Sequence, residues 1–224
     1  MDVAYFLTER TKFIRAFFDS AVAPFTEIIR LIESEEHPFE PPYSEDGEPA
    51  FLEEWLDADA AIELIGRTCV SMLSESLKLY LGEWERQLGL KCQKSAAAIF
   101  KKSGFLHGYR HCLEPLTNTP WTSGPFDLRT IEQVIHARND AAHPNEISSL
   151  RIRHKNSLKE GNRSLFFARN EELAFFPEKE SLGWNIMGPE LFISHEKLFC
   201  AIDEVDIMVS WLEPQMFNLK YPSR

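Results

Sequence analysis

One apolar stripe constrains this chain more than any other feature. Between Phe51 and Gln87, the residues Leu56, Ile62, Ile65, Val70, Leu73, Leu77, Tyr80, Leu81 and Trp84 recur at three- and four-residue spacing. That is the period of one helical face. A helix over this range is about 55 Å long, and a stripe this wide has to be covered by other helices. Gly89 is the expected stop, since glycine alone takes a left-handed C-terminal conformation without strain.

The rest of the pattern supplies those partners. Residues from about Ala4 to Glu36 read as helix through Phe6, Phe13, Phe17, Ile28, Leu31 and Ile32, with Pro24 expected to split it near Val22. His37–Pro49, with four prolines and a glycine, reads as a linker. Lys94–Lys102 and Phe105–Leu116 read as two short helices parted by Gly104, and a turn-rich segment, Thr117–Pro125, follows. A helix then starts near Asp127 and ends before Pro144. The apolar runs SLFFA and ELAFFP, between Ser164 and Pro177, predict a small β-hairpin. A last helix spans Ser194–Leu212, with Leu198, Ile202, Val205 and Val209 inward. The expected class is all-α in the main: a bundle of four or five main helices, with residues 1–50 as an N-terminal helical extension and acidic linker, and residues 51–224 as the principal domain.

Composition narrows function. The four cysteines are scattered, with no Cys-x-x-Cys pair, which speaks against a disulfide framework or a zinc site and for a reducing compartment. The first residues lack the basic and apolar pattern of a signal peptide, and no apolar run reaches membrane-spanning length. The expectation is a cytoplasmic protein with no membrane partner. A net charge of −11 argues against broad backbone-driven nucleic-acid binding. The charge is unevenly spread: twelve acidic residues and no Lys or Arg lie between Leu31 and Glu63. Pro144–Arg163 reverses the sign, with Arg151, Arg153, Lys155, Lys159 and Arg163 against Glu146 and Glu160.

One constellation carries chemistry. Ile131–Pro144, IEQVIHARNDAAHP, puts Arg138, Asn139 and His143 together at a helix end. Asn139 and His143 are one turn apart and share a face. Arg138 and His143 diverge by about 140° on a regular helix, but Pro144 disfavours the helical conformation for His143 and frees it to swing. Histidine moves protons near neutral pH, and a guanidinium is a permanent cation suited to phosphate. The pair His107 and His111, one turn apart beside Cys112, lacks a third ligand at convincing spacing, so no metal site is expected. Gly-rich phosphate loops, nucleophile elbows and His-Glu-x-x-His motifs are missing from the sequence.

The run Arg138-Asn-Asp-Ala-Ala-His143 resembles the signature of the HEPN superfamily. The resemblance implies a helical bundle and a metal-independent, cofactor-free endoribonuclease, of the kind found among toxins and antiviral effectors. It also implies a homodimer that brings two motifs into one cleft. Arg138, Asn139 and His143 would be the catalytic set, and Glu75, on the long helix, matches a polar position that could orient Arg138. The basic stretch with Arg151, Arg153 and Lys155 would bind RNA. Other members of the superfamily have lost catalysis, so the resemblance also admits an interaction module for a nucleotide or for a protein such as a nucleotidyltransferase-type antitoxin.

Overall fold

The long helix is present at Leu52–Gln87, and it is the spine on which the other elements pack. In the computed structural model the described residues are 2–42, 49–142, 151–154, 165–175 and 189–222. His143 and Lys155 lie outside them. The helices are α1 (Val3–Glu33), α2 (Leu52–Gln87), α3 (Cys92–Ser95), α4 (Ala97–Thr117), α5 (Leu128–Ala142), α6 (Asn170–Phe175) and α7 (His195–Lys220), with a 3₁₀ turn at Trp121–Ser123. The fold is mainly helical, and no helix among the described residues is long and apolar enough to cross a membrane.

The α2 stripe works as its periodicity dictates over its second half. Leu73, Leu77, Tyr80, Leu81 and Trp84 are buried, facing α1, α5 and α7. Gly89 ends the helix at φ 64°, and the Leu90 amide reaches back to the Glu85 carbonyl at 2.9 Å. Helix α1 contributes Val3, Leu7, Ile14 and Phe18 to the same core. Its first turn is capped by Asp2, whose carboxylate accepts from the Tyr5 amide at 2.9 Å.

Three expectations are corrected. First, Pro24 does not break α1, which is continuous from Val3 to Glu33. Pro24 and Ser20 both lie on the exposed side, so water can satisfy the carbonyl that the proline leaves without an intrahelical partner. Second, no β-hairpin forms among the described residues of this stretch, 165–175. ELAF belongs to α6, whose first turn carries Glu171 and Glu172, where the helix dipole favours negative charge. Leu165, Phe167 and Ala168 are buried, in a turn and bend leading into α6. Their partner is distant: the Phe192 amide donates to the Phe167 carbonyl at 3.0 Å, and the Leu191 amide to Ile152 at 2.7 Å. Third, Cys92 and Cys112 form a disulfide, which removes the cysteine-based reason for a reducing compartment. Gly104, at φ 84°, kinks the chain of α4 as the sequence predicts.

The non-helical layer around residues 189–193 lies directly on α2. A Cβ built on Gly66 would meet Ile193 Cβ at 2.9 Å and its carbonyl oxygen at 3.0 Å. Glycine at position 66 is therefore what lets this segment approach the spine.

Candidate functional site

Helix α5 carries Arg138 and Asn139 of the motif, and Asp127 starts it. One carboxylate oxygen of Asp127 accepts from the Arg129 amide at 3.0 Å and the other from the Thr130 hydroxyl at 2.9 Å. Ile131, Val134, Ile135 and Ala137 face the core, which fixes the rotation of the helix and leaves Arg138 and Asn139 half-buried at its edge. Arg138 Nη2 donates to Glu75 Oε1 at 2.8 Å, and Arg138 Nη1 to Asn139 Oδ1 at 3.1 Å. The second oxygen of Glu75 faces Lys78 Nζ at 3.6 Å. The expected partnership of Glu75 with Arg138 is thus present. The two side chains remain 42% and 33% exposed, so solvent screens the pair and its role is orientation more than stability.

The basic stretch does not converge on that point. Arg151 pairs with Glu190 at 3.0 Å and with Asp59 at 3.6 Å, and the Glu190 charge raises its already high pKa further. Arg153 is exposed and forms an isolated antiparallel bridge with Glu190. Asp59 and Glu75 are sixteen positions apart on α2, roughly 24 Å along its axis. Arg138 and Arg151 therefore cannot hold one phosphate, and a ligand that meets both must be extended. Arg169 lies beside Arg151, bonded to Glu63 at 3.1 Å and stacked over Phe192 at 4.0 Å. Burial and the neighbouring Asp59 raise the Glu63 pKa. His107 Nε2 stands 3.6 Å from Glu132, and Cys112 is committed to its disulfide.

Behind the motif lies a polar cluster that sequence reasoning missed. Asp140 is buried, and its charge acts on His154, which is 3% exposed. His136 acts on His154 as well. His154 Nε2 lies 2.7 Å from the Phe167 carbonyl. A carbonyl only accepts, so Nε2 carries a proton in this contact. The only sequence signal was the proximity of Asp140 to the motif, because the layer that buries His154 has no periodic signature.

Burial lowers the His154 pKa, with the Phe167 bond and Asp140 opposing. The unfolded chain then takes up the proton first, so stability present at neutral pH is lost as pH falls from the ordinary histidine range through the folded value. Urea melts between about pH 7 and 5 should show this slope. His154→Gln, which keeps a donor for Phe167, should flatten it. An unchanged slope would assign the effect to other groups.

No protein-family model, curated protein or solved structure matches this chain.

Proposed function

We propose that this chain is a metal-independent endoribonuclease of HEPN type, acting as a homodimer, with a toxin-like or defensive role. The observation that carries the reading is the Arg138–Glu75 pair. The arginine of the Arg-Asn-x-x-x-His run is held by the spine helix, is still one-third exposed, and uses two of its five donors on neighbouring side chains. In this reading His143 of one copy removes the ribose 2′-OH proton, and the 2′-oxygen attacks phosphorus. His143 of the second copy protonates the 5′-oxygen as the P–O5′ bond breaks. The products are a 2′,3′-cyclic phosphate and a 5′-hydroxyl. Arg138 stabilises charge on the phosphoryl oxygens, and Asn139 orients it. Arg151, Arg153 and Lys155 would meet RNA several nucleotides away, in line with the separation along α2.

The experiment is incubation of purified protein with RNA and with its 2′-deoxy counterpart, with and without EDTA. Cleavage of RNA alone, undiminished by chelation and leaving cyclic phosphate ends, is expected. Cleavage of DNA, or loss on chelation restored by a divalent ion, contradicts the mechanism. A second reading, a non-catalytic module for a nucleotide or a nucleotidyltransferase-type antitoxin, is favoured by Arg151 being bound to Asp59 and Glu190. It predicts intact RNA and a stable complex with such a partner.

A further inference from the structure

A second face of α2 is open to solvent and differs in kind from the core stripe. Leu64 and Leu79 are 59% and 55% exposed, two large apolar side chains that leave this face in water. Counting about 100° per residue, they fall on one side of α2 together with Thr68, Ser71 and Glu75. Along one flank runs a groove of about 630 Å³ between α1 and α2, walled by Phe6 and Phe13, whose rings are 53% and 59% exposed. Glu75, the partner of Arg138, lines the same groove.

We infer that this face pairs with the same face of a second copy, the two α2 helices antiparallel about a two-fold axis between positions 71 and 72. The inference builds on the homodimer reading above and specifies its surface. The register follows from self-complementarity. Laid antiparallel about that point, Leu64 meets Leu79 of the second copy, Thr68 meets Glu75, and Ser71 meets Met72. At the ends, exposed Asp57 meets exposed Arg86, which holds Glu83 of its own helix at 2.6 Å and has a further donor to offer, so opposite charges fall together twice by symmetry. A shift of one turn would instead set Leu64 against Glu75 or Glu83. Small side chains at Thr68 and Ser71 let the helices approach closely, and the groove beside them receives side chains of the partner helix. The two Glu75–Arg138 pairs then stand about 10 Å apart along the axis, so each copy contributes an arginine to one composite site.

Sedimentation at micromolar concentration should report twice 25.9 kDa. Leu64→Glu, at an exposed site where the monomer loses little, should raise the dimer dissociation constant at least about tenfold. Asp57→Arg and Arg86→Asp should each weaken the dimer, and the double exchange should restore it. In a Cys200→Ser background, Ser71→Cys should form a disulfide-linked dimer by itself. Leu64→Cys alone should not, its two copies being roughly 22 Å apart along the axis, but mixed with Leu79→Cys it should. A monomeric wild type, or a dimer indifferent to Leu64→Glu in which Ser71→Cys fails to link, overturns the interface. A dimer with these properties that leaves RNA intact overturns the nuclease reading alone, and RNA cleavage by a monomer overturns the interface and the two-copy mechanism while leaving the nuclease activity standing.

Discussion

Arg138→Ala is expected to lower RNA cleavage by about 10²–10³-fold, the usual cost of removing a donor aimed at developing charge, while thermal unfolding stays close to wild type. The stability side follows from exposure. Arg138 and Glu75 form a partly solvated pair at a helix edge, and such pairs contribute little to folding. Arg138→Lys keeps the charge but loses the planar fork that bonds Glu75 and Asn139 together, so it should recover only part of the activity. Glu75→Ala leaves the cation and removes its orienting partner, and should cost roughly tenfold, well short of the arginine truncation. His143→Ala should match or exceed Arg138→Ala, since a general acid–base contributes about 10²–10⁴-fold. Initial rates on one RNA, with melting curves for each variant, separate these outcomes. Full activity in Arg138→Ala would remove the motif arginine from the chemistry and place the cleaving groups elsewhere in the chain.

The legible part of this fold was where burial is one-sided and helical. The stripe from Leu73 to Trp84 reads correctly because α1, α5 and α7 are themselves helices covering one face. The reading weakens toward the start of α2. Leu56 is 45% exposed, while Glu63 and Arg67 are buried. There the covering layer is extended chain, Ile193 against Gly66, with Arg169 reaching Glu63. A helical period cannot register a polar residue buried by a distant ion pair. The hairpin failed for a related reason. Buried Phe167 looked like a strand residue, but its hydrogen-bond partner is Phe192, far beyond any local turn. The Cys92–Cys112 bond was hidden because the cysteines are twenty positions apart and meet only when α3 and α4 fold together. Within the site, the resemblance offered Glu75 as a partner for Arg138, while the residues alone read equally well as an exposed helical glutamate. Asp140 and His154 were not legible.

The largest stability effect is expected at a residue that no motif marks. Glu213, on α7, accepts from the Tyr80 hydroxyl at 2.8 Å and from Trp84 Nε1 at 2.9 Å through one carboxylate oxygen. Its other oxygen faces the Ala4 amide at 3.4 Å. Tyr80 and Trp84 are each 2% exposed, so both donors depend on the carboxylate for a protein partner. Burial and the Glu213 charge push the Tyr80 pKa well up, so the hydroxyl keeps its proton. Glu213→Ala therefore strands two buried donors, each at a cost of about 1–3 kcal/mol, and loosens the junction of α1, α2 and α7 together. A loss of roughly 2–5 kcal/mol is expected, a fall in melting temperature of about 5–15 °C for a chain of this size. Glu213→Gln retains an acceptor oxygen in the same place and loses only the charge-assisted part of both bonds, so it should cost no more than about 1–2 kcal/mol. Denaturant midpoints followed by tryptophan emission check both variants, since Trp84 reports on the site directly. If alanine and glutamine proved equally mild, the two donors would have found other partners, and the carboxylate would be a surface group that the fold does not need.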